Sequence, residues 1–261
     1  MKKTRFQRLG EAVLPALSVV LVVGVWQAFV DLRGIPPIYL PAPTAIAAAL
    51  IRMSVDGTLA YDLGVTLLRI MAGFLLAAAA GIFIGVIMGM SRIVARVADP
   101  WIAALYPLPK IALIPLLIIW LGTGETYKVV ISAISASFPI VISTFSSIRQ
   151  VDRGLIKAAQ DLGAKPRQIQ LKIVIPAAIP GIFSGLHLGM GVTIILVVAA
   201  EMIGGSSQSG IGYLLISAGQ VMETEKVFAS LVALAVMGAM IIKLQHWIDG
   251  VVAPWMKKDG R

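Results

Sequence analysis

Long apolar runs alternate with short polar segments along the chain, and the run lengths predict membrane-crossing helices. Six runs qualify, at about residues 13–30, 70–90, 101–121, 129–145, 179–203 and 227–242. The first, Val13 to Val30, would rise about 27 Å as a helix, close to the hydrocarbon thickness of a bilayer. It is longer than the apolar core of a usual signal peptide, and no small-x-small cleavage site follows it. The predicted fold class is an all-α membrane protein, with residues 1–261 forming a single transmembrane domain.

The interruptions carry further information. Residues 31–66 are more polar and read as an extracytoplasmic loop with one surface helix: Pro36, Pro37, Pro41 and Pro43 lead to Thr44, a predicted N-cap for an Ala-rich helix through Ile51. In the second run Gly81, Gly85 and Gly89 recur every fourth residue, and Gly181, Gly185 and Gly189 repeat that spacing in the fifth. Each set gives one helix face with little side chain on it, a surface suited to close helix packing. The third run contains Pro107, Pro109 and Pro115 and also Lys110. If this span is regular, Lys110 lies about 13 Å beyond Trp101 and well inside the membrane. A cation there belongs on an aqueous path or with a partner, so Lys110 is a possible pathway residue favouring an anionic solute. With the helix broken at its prolines, it would instead sit near the inner interface, snorkelling to headgroups or reaching Asp99. Glu201 lies near the far end of the fifth run and is the second possible pathway residue. Residues 204–220 are too short to cross and return unaided, and read equally as a re-entrant segment or a loop.

Composition agrees with a bilayer: 58% of residues are hydrophobic, 13% are charged, and the mean hydropathy is +0.91. The net charge of +9 does not point to nucleic acid, because most of the 22 basic residues cluster at the ends and in two turns. Those clusters are Lys2 to Arg8, Arg92 with Arg96, Arg149 to Lys172, and Lys257 to Arg261. By the positive-inside rule both termini and the Arg149 to Lys172 segment are predicted to be cytoplasmic. Without cysteine there is no thiolate site, and with only His187 and His246 a catalytic triad or multi-histidine metal cluster is not expected. Each histidine is read as a packing or interfacial residue. No Walker A sequence occurs, so any ATP and Mg²⁺ must be bound by another chain. No catalytic, cofactor or metal residues are assigned.

The one long basic polar run, Arg153 to Pro180, reads as two short helices with a corner between them. Ala158 and Ala159 give the first helix a small face, Gly163 ends it, and Pro166 begins a second helix carrying Ile169, Leu171 and Ile173. Ala158, Ala159, Gly163, Ile173, Ile175 and Pro176 also fall at the spacing of the loop signature E-A-A, three residues, G, nine residues, I-x-L-P. That pattern, with the words YLPAPTAIAAAL, DLGVTLLRIMAGF, PLPKIALIPLLIIWLGTGE and AAEMIGG, resembles the permease subunits of ATP-binding-cassette importers of the sulfonate, taurine, nitrate and bicarbonate group.

The resemblance covers about Leu40 to Trp255. It implies a homodimer of six-span subunits in a bacterial inner membrane, two cytoplasmic ATPase subunits and an extracytoplasmic substrate-binding protein. It also implies a coupling helix between spans four and five that docks in the ATPase, carried here by Lys157, Ala158, Ala159, Asp161, Leu162, Gly163, Ala164, Lys165 and Pro166. Lys157 stands where the signature has glutamate, which puts any ionic contact of that position in question. Two other classes bear on the same residues: an ATP-independent transporter or channel, and an intramembrane enzyme using Lys110 and Glu201. The first leaves the docking signature without a use, and the second lacks a nucleophile and base at one depth.

Overall fold

A computed structural model of the protein describes residues 5–204 and 208–253. Among these residues the chain forms helices and no strand: α1 (Arg5–Arg33), α2 (Pro43–Val55), α3 (Thr58–Met90) and α4 (Arg92–Leu105) come first. A 3-10 turn at Lys110–Leu113 then leads into α5 (Ile114–Leu121), followed by α6 (Thr126–Arg149), α7 (Arg153–Asp161), α8 (Pro166–Ile169), α9 (Ile175–Ile203), α10 (Ile211–Gln220) and α11 (Thr224–Val252). Among the described residues four stretches are long and apolar enough to cross a membrane: α3, α6, Pro166–Ile203 and α11. The bent pair formed by α4 and Lys110–Leu121 makes a fifth when the two helices are taken as one broken span. The expected span at 13–30 falls within α1, part of whose side chains lie outside the described residues. Lys2 and Lys3 at one end, and Lys257, Lys258 and Arg261 at the other, also lie outside them.

Two expectations need correction. Hydropathy marks where a helix turns apolar rather than where it begins, and α3, which carries the apolar run at 70–90, starts at Thr58 inside the segment read as a loop. Its 33 residues extend about 50 Å, so Asp62 and Thr66 stand on the same helix as Arg69 and not in a loop. The second correction concerns α2, whose N-cap is Ala42 and not Thr44. Pro43 takes the first helical position, where its fixed φ suits the helix and its missing N–H costs nothing. Of the two readings of residues 101–121 the broken helix holds, because α4 ends at Leu105 and the chain bends by 88° before continuing from Lys110. Pro107 and Pro109 lie in the break, where ring clash and missing donors prevent the helical ladder from continuing. The depth for Lys110 that assumes a regular span therefore does not apply.

The described chain divides into two compact units. In the first, Met1–Tyr61 with Leu214–Leu234, α2 buries Ile46, Ala49 and Met53 on one face. Trp26 stacks obliquely on Phe228 with ring centroids 5.8 Å apart. Arg52 pairs with Glu225 at 3.3 Å, and the Thr224 hydroxyl donates to the Ile38 carbonyl at 2.8 Å. Between α2 and α3 the Thr58 N–H donates to Asp56 Oδ1 at 2.9 Å, which holds the Asp56 carboxyl below its ordinary pKa.

The second unit, Asp62–Tyr213 with Ala235–Arg261, is organised on α6. The Gly81, Gly85 and Gly89 face of α3 lies against Ile140, Thr144 and Ile148 of α6. Gly181, Gly185 and Gly189 of α9 lie against Ser147, Ser143 and Ile140 of the same helix. A Cβ added at Gly85 would stand 2.6 Å from Thr144 Cβ, and one at Gly189 would stand 2.7 Å from Ile140 Cδ1. Contacts that short are not made by real Cβ atoms, so these backbones approach α6 only because no side chain intervenes. Toward the start of α6, Tyr127 and Ile131 pack with Ile114 and Leu117 of α5 and with Leu196 and Ala200 of α9.

Candidate functional site

A short apolar helix begins at Ile211, and its first N–H groups have no intrahelical acceptors. Side chains from distant helices supply them. Asp62 Oδ1 accepts from Gly210 N–H at 2.7 Å, Thr66 Oγ1 from Ile211 N–H at 2.9 Å, and Glu201 Oε2 from Gly212 N–H at 2.9 Å. Two carboxylates at a helix N-terminus also complement its positive dipole end. Gly210 adopts φ +103°, and a Cβ there would meet Glu201 Oε1 at 2.4 Å. Only glycine admits this approach.

Arg69 ties the cluster together. Its Nη1 donates to Glu201 Oε1 at 2.6 Å and to the Ser209 carbonyl at 2.8 Å. Its Nη2 and Nε donate to the two oxygens of Glu125, the bidentate arrangement in which guanidinium–carboxylate pairs are strongest. Lys128 stands 3.5 Å from Glu125, and the Tyr127 hydroxyl donates to the carbonyls of Ala200 and Gly204. Arg69, Lys128 and Glu201 are each less than 5% exposed. The Thr66 hydroxyl donates to Glu201 at 2.9 Å, so both carboxylate oxygens of Glu201 are engaged. Glu201, expected on the pathway, is thus occupied in pinning α3, α6, α9 and the start of α10 to one another.

Lys110 has a different setting. It lines a cavity of about 510 Å³ together with Tyr106, Pro109, Ser135, Pro139, Leu188 and Val192. Its ammonium donates to the Tyr106 carbonyl, which the helix break leaves without a helical donor, and lies 5.1 Å and 4.9 Å from the Tyr106 and Phe138 ring centroids. These partners are a carbonyl and two ring faces, none of which neutralises its charge. The remaining lining is mostly apolar, and Ser135 Oγ is turned to its own helix, donating to the Ile131 carbonyl at 2.7 Å. Glu201 does not line this cavity. The two ionisable residues picked out along the sequence therefore belong to separate places.

The two short helices have the local geometry their sequence predicts. Gly163 has φ +79°. The N–H groups of Gly163 and Ala164 return to the carbonyls of Gln160 and Ala159 at 2.9 Å and 3.0 Å, a Schellman closure of α7. Pro166 opens α8, and the Gln168 side chain accepts from the Lys165 N–H at 2.8 Å. Ala159 is buried with Ile148, Ile169, Val174 and Ala178, which fastens α7 to α6 and α9. Ala158 faces outward, so the two alanines do not share one role. Lys157, Asp161, Lys165 and Pro166 are exposed, Ala164 is half-buried, and Leu155 and Leu162 stand 53% and 89% exposed. A helix showing two bare leucines and basic residues is a surface that another chain can cover.

His187 and His246 are not separate packing residues. They meet across α9 and α11 with ring centroids 4.6 Å apart, beside Asp249. No sequence signal pairs them, since 59 positions separate them and each helix offers a single histidine.

Long apolar helices, small-residue helix contacts, a saturated internal ion cluster and an exposed two-helix arm define a polytopic membrane protein. Residues 81–258 match the family model described as binding-protein-dependent transport system inner membrane component. The chain belongs to this family of ATP-binding-cassette importer permeases, which are transport components that work with an ATPase and a substrate-binding protein. It is 32% identical to a putative aliphatic sulfonates transport permease of Bacillus subtilis, covering 97% of this chain and 90% of that protein. It is 31% identical to the taurine transport system permease of Escherichia coli, over 97% and 93% of the two chains. A putative ABC transporter permease of Methanocaldococcus jannaschii is 36% identical over 94% of this chain and 91% of that protein. In fold it is similar to an amino acid ABC transporter at TM-score 0.58 and 19% identity, covering 78% of this chain and 96% of the other. An inward-facing methionine transporter gives TM-score 0.56 and 21% identity, with 74% and 98% covered.

Proposed function

We propose that two copies of this chain form the translocation pathway for a small organic anion, an aliphatic sulfonate or a taurine-like solute, in a bacterial cytoplasmic membrane. Each copy spans six times with both ends inside, and α7 with α8 docks one of two cytoplasmic ATPases. The observation that carries the substrate class is Lys110, an ammonium with no neutralising carboxylate among the described residues, at the edge of a mostly apolar cavity of about 510 Å³. That volume falls in the usual range for small-molecule sites, and an anionic head on a short chain suits a cation beside apolar walls. Relatives named for aliphatic sulfonates and for taurine support the same class.

The docking surface consists of Lys157, Asp161, Leu162 and Lys165 around the Gly163 corner, with Leu155 as a further apolar contact. Lys157 gives its position a positive charge, so an ATPase that contacts it presents an acidic or neutral group there. The exposed leucines of the arm support an ATPase partner over an ATP-independent transporter, which would have no use for them. The test is reconstitution of the chain with its ATPase and binding protein in proteoliposomes. The expected result is ATP-dependent uptake of an aliphatic sulfonate that falls in Lys110→Met while the complex still assembles. Unchanged uptake by Lys110→Met would remove Lys110 from the pathway.

A further inference from the structure

The chain's only two histidines converge on one carboxylate, and the geometry is that of ligands around a shared ion. His246 and Asp249 sit three residues apart on α11, which places both on one helix face. Across from them, His187 of α9 brings Nε2 to 2.8 Å from Asp249 Oδ2, and His246 Nδ1 lies 3.7 Å from the same oxygen. One donor atom from each of the three residues can be chosen so that all lie within 4.8 Å of one another.

The alignment separates a ligand set from an ordinary hydrogen-bonded pair. His187 Nε2 is buried and makes no hydrogen bond, although Asp249 Oδ2 is only 2.8 Å away. Proximity without alignment is what two ligands of one cation show, because each lone pair points at the ion and not at the other ligand. Ligands bound at about 2.0–2.2 Å stand about 2.8–3.6 Å apart in octahedral or tetrahedral shells. The contacts at 2.8 Å and 3.7 Å bracket that range.

We propose that His187, His246 and Asp249 bind one divalent first-row cation of the zinc class. Two imidazoles and one carboxylate favour such an ion over Mg²⁺ or Ca²⁺, which prefer oxygen donors. Three protein ligands leave a coordination position for water or for a group from another chain. Bound there, the ion joins α9 to α11, so relative movement of these helices requires its ligands to rearrange.

The absence of cysteine and of any third histidine makes the test clean. The full-length chain, freed of affinity tag, is stripped with EDTA and placed in phosphatidylcholine nanodiscs. Co²⁺ is then titrated against its visible absorption, with Zn²⁺ as competitor, and thermal unfolding is followed with each metal. The site predicts one saturating ion per chain at micromolar concentration, displacement by Zn²⁺, and an unfolding midpoint that rises with metal concentration. His246 is 64% exposed, so His246→Ala keeps the fold, and it should weaken binding at least tenfold. Asp249→Asn should weaken it similarly. No saturable binding, or equal binding by wild type and both variants, would overturn the proposal and leave His187 and Asp249 as neighbours without a metal.

Discussion

α6 is held in two unlike ways along its length. From Ala136 to Ile148 it is gripped on two sides by the glycine faces of α3 and α9, through small groups at van der Waals range. At its beginning, Glu125 and Lys128 enter a buried cluster whose members depend on one another's charges. The glycine contacts distribute stabilisation over many weak dispersion terms, each tolerant of small adjustment. The ion cluster concentrates it, because losing one member leaves another buried and unpaired. Apolar packing therefore sets how closely the helices approach, while the cluster fixes where α10 begins.

The largest effect is expected from opening the cluster. Arg69→Ala leaves Glu201 and Glu125 without their principal partner, and an orphaned buried charge costs about 3–5 kcal/mol. Thermal unfolding in detergent should show a large fall in midpoint, or the protein should fail to accumulate. Arg69→Met combined with Glu201→Leu removes both charges, and its loss should be smaller than the sum of the two single losses. Strict additivity would mean that the residues do not act as a unit.

An intermediate effect is expected at the glycine faces. Gly85→Leu drives a side chain into Thr144, and overpacking of this kind costs about 1–3 kcal/mol. Gly185→Leu meets Ser143 in the same way. Unchanged unfolding midpoints for both would show that the faces do not set the helix spacing. The smallest change in stability belongs to Gly163→Val. Nothing lies within 4 Å of a Cβ there, and the cost is backbone strain alone, about 1–2 kcal/mol at its positive φ. Function should respond more than stability, with ATP hydrolysis persisting while uptake falls. Intact coupling would argue that the corner does not transmit ATPase movement.

How much of this was legible depended on sequence distance. The corner at Gly163 was readable because its signals are local: a glycine after a short helix and a proline three residues later. Four-residue glycine spacing revealed faces, but nothing in it named α6 as the helix common to both. The prolines around Lys110 announced a break without giving its 88° angle, and that angle governs which surface Lys110 lines. The cluster was only half visible. Asp62, Thr66 and Arg69 fall at helical spacing in an otherwise apolar stretch, a polar stripe that could have been noticed. Their partners Glu125, Glu201 and Ser209 lie 56 to 140 positions away, beyond any local pattern. Extending the polar loop through Thr66 hid the stripe, since it removed those residues from the helix that aligns them.

The most direct test of the transport account uses the absence of native cysteine. A single cysteine is placed by Lys110→Cys in the reconstituted complex with ATPase and binding protein, and its labelling by a membrane-impermeant thiol reagent is timed. If this cavity belongs to the translocation pathway, the labelling rate changes between the resting state and ATP, and substrate protects the site. A constant rate in every state, with normal uptake by the labelled complex, would contradict the assignment of Lys110 and its cavity to transport.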